Sequence, residues 1–214
     1  QGVRDEITRC FPVKLPTVRH AVINSAARQS LVDRFGIQGS VVVPNVMDFS
    51  RPYGEPDAYN ATLLDDLGVA GHEIPLFQIT RIVGRKGIDT AIDLVHRLGE
   101  LPVKLVITGT STDDTEGHTP TLKAQVERLG LTERVLFAGR HFDAYRADDG
   151  QGGKVYSIED AYAHAAGCTY FSTYEGYGNA FVEAVVARRP IFVNNYEPVY
   201  WPDIGSKGFD TVQI

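Results

Sequence analysis

Two glutamates, Glu175 and Glu183, flank a glycine-rich turn, and seven residues separate them. A short buried strand predicted over 168–173 leads into this turn, and a helix predicted over 179–188 leaves it towards a second apolar strand. The backbone N–H groups at the start of such a helix lack intrahelical partners and lie at the positive end of its dipole, so they bind anions readily. The pattern therefore predicts an anion site bracketed by two carboxylates.

The predicted helix places Glu183 away from its apolar face. Phe181, Val182, Val185 and Val186 share that face, and Glu183 lies roughly 130° from its centre on a helical wheel. The core therefore does not require Glu183. A glutamate in this position is usually a solvated surface residue, so a functional role needs support from a second motif.

Two cations supply the second motif. Arg81 and Lys86 follow a strand predicted over 74–80, beside a turn that ends at Gly87 and opens a helix predicted over 88–98. Ligands of open α/β sheets bind at the carboxyl ends of the strands. A basic cluster can also be a solubilising surface feature, but its combination with the glutamate pair favours a site for an anionic ligand.

Composition narrows the classes of function. The formal net charge of −6 argues against nucleic-acid binding, which requires a basic surface. No apolar run approaches the ~18 residues of a membrane span, so we expect a cytoplasmic protein. Cys10 and Cys168 lie in unlike contexts, which favours reduced thiols over a disulfide. The spacing of Asp113, Asp114, Glu116 and His118 does not match a calcium loop, and we expect a solvated surface loop and no metal site.

Strands and helices alternate along most of the chain. Further strands are predicted over 20–24, 40–43, 103–108, 134–138 and 209–214, and further helices over 26–35, 57–67, 119–129 and 158–165. Ser25 is predicted to cap the helix over 26–35, and Gly36 to end it. Residues 4–17 are predicted to be loop, and 142–157 a long mobile insertion. Because strand, helix, strand connections are right-handed crossovers, this order predicts an α/β fold with a doubly wound parallel sheet.

Three segments resemble one known family. The string from Glu175 to Glu183 resembles the E-x7-E signature of the retaining glycosyltransferases of family 4, also called group 1. The segment RIVGRKG (81–87) resembles their GR-(L/I)-x-x-x-KG stretch. The segment VVVPNVMDF (41–49) resembles their PNGVD crossover between domains, with Val46 and Met47 in place of the usual glycine.

The resemblance implies a domain organisation. It is to the Rossmann-like C-terminal half of a GT-B fold, so residues 1–50 would be the end of an N-terminal acceptor domain and the crossover. Residues 51–214 would be the C-terminal nucleotide-sugar-binding domain, incomplete at its C-terminus. We therefore expect the chain to be a fragment that binds its donor and, in isolation, transfers nothing.

The resemblance also implies roles for individual residues. Arg81 and Lys86 would reach the diphosphate, Glu183 the ribose hydroxyls, and Glu175 the transferred sugar, which makes Glu175, Arg81 and Lys86 the catalytic set. The other expected donor contacts are the N–H groups of Gly178, Asn179 and Ala180, together with Gly139 and Arg140 near the nucleobase. Cations and backbone dipoles would do what a metal does in other transferases, so no metal or cofactor is expected.

The partners follow from the same resemblance. The donor would be a nucleoside-diphosphate sugar, and the acceptor a saccharide, a lipid or a small molecule, with the sugar transferred with retention of its configuration. An N-terminal domain could also touch a membrane surface. Two alternatives stay open, namely an epimerase or phosphorylase relative with the same fold, and a non-catalytic nucleotide-binding or regulatory module.

Overall fold

The computed structural model describes residues 2–110 and 117–214. The helices are α1 (Gly2–Cys10), α2 (Ser25–Phe35), α3 (Leu63–Asp66), α4 (Ile88–Arg97), α5 (His118–Arg128), α6 (Ile158–His164) and α7 (Asn179–Val186). The strands are β1 (Ala21–Val22), β2 (Val41–Val42), β3 (Ile74–Gln78), β4 (Val103–Ile107), β5 (Val135–Phe137), β6 (Phe142–Asp143), β7 (Ala147–Asp148), β8 (Lys154–Ser157), β9 (Gly167–Tyr170), β10 (Ile191–Val193) and β11 (Val212–Gln213).

The central sheet has six strands in the order β11-β10-β9-β3-β4-β5, and every neighbouring pair in it is parallel. Alternate residues of β3 face opposite sides, so Phe77 belongs to one core cluster and Leu76 to the other. Helices α6 and α7 bury residues in the first cluster, and α4 and α5 bury residues in the second. The sheet is therefore covered on both faces, which confirms the predicted doubly wound α/β fold.

The chain changes direction between β3 and β9. From β3 it proceeds through α4, β4 and α5 to the edge strand β5, and it then returns to β9 on the other side of β3. From β9 it proceeds through α7 to β10. The helices that follow the adjacent strands β3 and β9 thus leave on opposite faces of the sheet, which opens a crevice at the carboxyl ends of these two strands.

Residues 2–45 lie outside the central sheet. β1 and β2 form a separate parallel pair, and α2 connects them. The N-cap of α2 is Asn24 and not Ser25 as predicted, because the Asn24 side chain accepts from the Ala27 N–H. The loop predicted over 4–17 is also wrong at its start: α1 forms before the first proline, with Asp5 and Arg9 placed to complement its dipole.

The segment 142–157 is folded, contrary to the predicted mobile insertion. It forms a three-stranded sheet in the order β6-β8-β7. The Tyr59 hydroxyl lies 2.7 Å from the carbonyl of Ala147 and 2.9 Å from that of Val155, which fastens β7 and β8 to the rest of the chain.

The helix predicted over 57–67 is shorter in the structure, where a 3-10 turn at Asn60–Thr62 precedes α3. Among the described residues, no helix combines the length and apolar character needed to cross a membrane.

Candidate functional site

A cavity of about 860 Å³ lies over the crevice between β3 and β9. It is lined by residues that follow β3 (Thr80, Arg81, Arg85, Lys86), β4 (Thr108, Gly109, Thr110) and β9 (Glu175, Gly176, Tyr177), by the start of α7 (Gly178, Asn179, Ala180, Glu183), by Phe142, Asp143, Ala144 and Ile158, and by Ile23 and Asn45 from outside the central sheet. This volume is within the range of cavities that hold small molecules and cofactors.

The cavity brings together seven of the nine residues predicted to bind a donor: Arg81, Lys86, Glu175, Gly178, Asn179, Ala180 and Glu183. Gly139 and Arg140 do not line it. A Cβ at Gly139 would lie 2.4 Å from the carbonyl oxygen of Gly109, so this glycine packs against a lining residue. Arg140 is exposed, and its Nε lies 3.1 Å from Nε2 of His141. Their predicted contact to a nucleobase stays a prediction.

Glu175 is held by two cations that follow β3. The Lys86 ammonium donates to Oε1 of Glu175, and Nη1 of Arg85 lies 2.8 Å from the same oxygen. Lys86 is 9% exposed and its ammonium lies 5.3 Å from the centre of the Tyr170 ring. Burial by itself raises the pKa of the Glu175 carboxyl, but the hydrogen bond and the charge of Lys86 outweigh it and lower that pKa. Glu175 is therefore a carboxylate near neutral pH.

Arg81 is placed differently from Lys86. It is exposed at the cavity wall. Within residues 2–110 and 117–214, its guanidinium forms no hydrogen bond or ion pair with another side chain. Its charge is therefore available to a ligand in the cavity without the loss of an internal contact.

The glycine turn has a conformation that other residues adopt only with strain. Gly178 has a φ of 113°, and a Cβ there would lie 2.5 Å from the Tyr196 hydroxyl oxygen. Gly87, which opens α4, has a φ of 61° and would place a Cβ 2.1 Å from the carbonyl oxygen of Phe171. Both glycines are thus required by the backbone and its close neighbours.

The start of α7 presents backbone donors to the cavity. The Phe181 N–H, 3.0 Å from the Gly178 carbonyl oxygen, makes the first intrahelical bond. Among the described residues, the N–H groups of Asn179 and Ala180, which line the cavity, have no backbone partner. Together with the cations after β3, they can stabilise negative charge.

Glu183 is half-buried, which the helical wheel did not predict. The residues of α7 that face the core are Phe181 and Ala184, whereas Val182, Val185 and Val186 are only partly buried. The helix is therefore rotated from the predicted orientation. Burial raises the pKa of Glu183, and a hydrogen bond from the Tyr162 hydroxyl at 3.0 Å opposes that rise. The second carboxylate oxygen is not engaged by Tyr162.

Sequence reasoning missed several lining residues. Arg85 occurs within the recognised basic segment, so the signal was present, and only the structure shows its ion pair with Glu175. Thr108, Gly109 and Thr110 follow β4 directly, so the rule that ligands bind at the carboxyl ends of strands also indicates these residues. Asn45 donates from Nδ2 to Oδ1 of Asn179 across 134 residues of sequence, and no local pattern indicates that contact.

Among the described residues, no group of three or more His, Cys, Asp or Glu side chains is arranged to hold a metal ion. Asp113, Asp114 and Glu116 of the predicted surface loop lie outside the described residues.

The family model "Glycosyl transferases group 1" matches residues 62–200. The matched range contains Arg81, Lys86, Glu175 and Glu183. The chain belongs to the group 1 glycosyl transferases. The family match thus agrees with the resemblance that the motifs indicated.

Two curated relatives are mannosylglucosylglycerate synthases. The protein of Petrotoga mobilis is 31% identical over 99% of this chain and 51% of its own length, and that of Thermotoga maritima is 32% identical over 99% of this chain and 50% of its own. The chain therefore spans about half the length of these curated relatives.

Solved structures share the fold at low identity. A glycosyltransferase from Rickettsia africae superposes with a TM-score of 0.70 at 12% identity, covering 90% of this chain and 48% of that one. Anabaena Alr3699/HepE in complex with UDP-glucose superposes with a TM-score of 0.65 at 22% identity, covering 82% of this chain and 44% of that one. The chain thus has the architecture of half of a GT-B glycosyltransferase.

Proposed function

We propose that this chain carries the donor site of a glycosyltransferase that moves a sugar from a nucleoside diphosphate to an acceptor with retention of configuration. One observation carries the proposal. The cavity over the crevice between β3 and β9 brings together the guanidinium of Arg81, which has no side-chain partner among the described residues, the Lys86–Glu175 ion pair and the N-terminus of α7. Cations and backbone donors line the same cavity, and a diphosphate requires such groups. The carboxylates of Glu175 and Glu183 would accept hydrogen bonds from hydroxyl groups.

The chemistry follows from these positions. When the bond between the anomeric carbon and the diphosphate breaks, negative charge grows on the diphosphate oxygens. Arg81, Lys86 and the N–H groups that begin α7 would stabilise that charge without having to reorganise, which is the most effective form of electrostatic catalysis. These groups would replace a metal ion, so the proposed donor site takes no metal or cofactor.

The two glutamates would hold different parts of the donor. Glu183, with one oxygen bound by Tyr162, would accept hydrogen bonds from ribose hydroxyls. Glu175, kept ionised by Lys86, would accept from hydroxyls of the transferred sugar. Because Lys86 and Arg85 both contact Glu175 in the free chain, the same cations would link the sugar subsite to the diphosphate subsite.

The relatives suggest which sugar and acceptor to test first. Both are named for a product that contains mannosyl, glucosyl and glycerate groups. We propose that the whole protein transfers a mannosyl group to a small acidic glycoside of this kind. The cations named above lie at the donor site, so the acceptor carboxylate would need its own partner.

Calorimetric titration tests the proposal. UDP, GDP and ADP, each with and without a mannosyl or glucosyl group, are titrated into the chain, and a tight complex with one of these nucleotides is expected. Products that the full-length protein forms with glucosylglycerate as acceptor are then analysed by mass spectrometry, with NMR of the new anomeric centre to test retention.

Three outcomes separate the alternatives. A product formed only with inorganic phosphate would favour a phosphorylase, and an altered sugar on the nucleotide would favour an epimerase. Nucleotide binding by the full-length protein with no turnover under any condition would favour a non-catalytic module; the same result for the isolated chain is expected. If none of the nucleotides bound, the donor site itself would be refuted.

A further inference from the structure

Asn24 is a buried polar residue whose side chain contacts two parts of the fold. Its Oδ1 accepts from the Ala27 N–H at 2.6 Å and so caps α2. Its Nδ2 donates to the carbonyl oxygen of Gly176 at 2.5 Å, across 152 residues of sequence. Asn24 is 6% exposed. An N-cap needs only an acceptor, so the cap leaves the Gly176 contact unexplained.

The Gly176 contact completes a set of anchors around the glycine turn. The Glu175 N–H donates to the Glu197 carbonyl oxygen at 3.1 Å, and the Tyr196 hydroxyl donates to the Tyr177 carbonyl oxygen at 3.1 Å. With Asn24, three consecutive residues of the turn are each held from outside it. These anchors occupy the carbonyls of Gly176 and Tyr177, which fixes the planes of the peptides that follow them.

The neighbouring residue strengthens the attachment. The Ser25 N–H lies 3.1 Å from both carboxylate oxygens of Asp203, and the Ser25 hydroxyl donates to Asp203 at 2.8 Å. The N-terminus of α2 is thus fastened to the segment after β10, beside the turn. Asn45 adds a bond to Asn179, the first residue of α7.

We propose that Asn24 is a positioning residue for the diphosphate site. This role rests on the proposed function. Asn24 sets the orientation of the glycine turn by its bond to Gly176, and through that turn it sets the direction of the N–H groups that begin α7. Binding of a nucleoside diphosphate and docking of α2 on the turn are then linked, and each strengthens the other.

Two substitutions separate positioning from capping. Asn24→Ser keeps a good N-cap acceptor and adds no charge, but its side chain is too short to reach Gly176. Asn24→Ala loses both contacts. Gln29→Ala, which removes an exposed hydrogen bond to Asp33 on the same helix, is the control.

The variants are compared by melting temperature, by titration with the nucleoside diphosphate that the parent chain binds, and by amide hydrogen exchange of residues 176–180. We expect Asn24→Ser to melt only a few degrees below the parent, yet to bind roughly three- to tenfold more weakly and to exchange these amides faster, as the loss of one hydrogen bond implies. Asn24→Ala is expected to bind as weakly and to melt lower. Gln29→Ala is expected to match the parent in all three.

Unchanged affinity in Asn24→Ser would overturn the proposal, because Asn24 would then only cap α2. The proposal also fails if affinity follows melting temperature across the variants. If the parent chain bound no nucleoside diphosphate, the proposed function would fail. Amide hydrogen exchange in the free chain would then test the role of Asn24 by itself. Exchange at 176–180 as slow in Asn24→Ser as in the parent would show that Asn24 does not hold the turn.

Discussion

Arg81 and Lys86 are both proposed to contact the diphosphate, but Arg81 is exposed and Lys86 is buried. Replacing each of them in turn therefore separates the loss of ligand binding from the loss of stability. We expect Arg81→Ala to weaken the binding of a nucleoside diphosphate without changing the melting temperature. Arg81 is exposed, and no described side chain depends on it. A hydrogen bond to a charged group contributes about 1.5–3 kcal/mol, so the dissociation constant should rise roughly 10- to 150-fold.

Lys86→Met should lose a similar ligand contact and also destabilise the fold. Breaking a buried ion pair costs about 3–5 kcal/mol when the remaining charge has no partner. Here Arg85 stays 2.8 Å from Glu175, so we expect a smaller loss of about 1–3 kcal/mol. For a chain of this length, that loss lowers the melting temperature by roughly 2–12 °C.

Calorimetry gives the affinities and differential scanning fluorimetry the melting temperatures. The double variant Lys86→Met with Glu175→Gln removes both charges and should recover part of the lost stability without recovering affinity. An Arg81→Ala variant that bound within twofold of the parent would refute the placement of a diphosphate at Arg81. A Lys86→Met variant that melted like the parent would refute the energetic importance of the ion pair.

Four further results are expected. Glu183→Ala should weaken a plain nucleoside diphosphate and its sugar conjugate alike, whereas Glu175→Ala should weaken mainly the conjugate; equal losses for both ligands in Glu175→Ala would contradict the assigned roles. Burial raises the pKa of Glu183 in the folded chain, so ionising this carboxyl at higher pH costs folding stability. Glu183→Gln should therefore melt higher than the parent at pH 7. The difference should vanish as the pH falls below about 4.3, the pKa of a glutamate in the unfolded chain. Gly178→Ala, with its Cβ 2.5 Å from the Tyr196 hydroxyl, should destabilise by about 1–3 kcal/mol and weaken nucleotide binding, while Gly176→Ala, whose Cβ meets nothing within 4 Å, should fold normally in a thermal melt. Titration in the presence of EDTA should give the parent affinity; a loss of binding would show that a metal participates.

The sequence by itself determined the type of sheet and the edge of it at which the candidate ligand site lies. Alternating apolar strands and amphipathic helices are local patterns, and the crossover rule converts their order into a parallel sheet with covered faces. The carboxyl ends of β3 and β9 therefore had to meet at one edge. Arg81 and Glu175 could be placed there because they follow Gln78, the last residue of β3, and Tyr170, the last residue of β9, within a few residues. Lys86 and Glu183 lie in the turn and the helix that come next along the chain.

The tertiary structure decided how those residues are held. Lys86 and Glu175 are 89 residues apart, and their ion pair depends on β3 and β9 being neighbours. The sequence pattern gave α7 an apolar face that included three valines, but Phe181 and Ala184 are the residues that face the core, and Glu183 accepts a hydrogen bond from Tyr162. Burial depends on what lies opposite a residue, which a helical wheel does not contain.

The same limit explains the elements that sequence reasoning placed wrongly. The segment 142–157 has the composition of a mobile loop, yet the Tyr59 hydroxyl holds its strands from a distant part of the chain. Asn24 reads as the last residue of a short strand, and only its contact with Gly176 reveals a second role. Composition and periodicity record local preference, whereas these contacts exist only because the folded chain brings the donor and the acceptor of each hydrogen bond together.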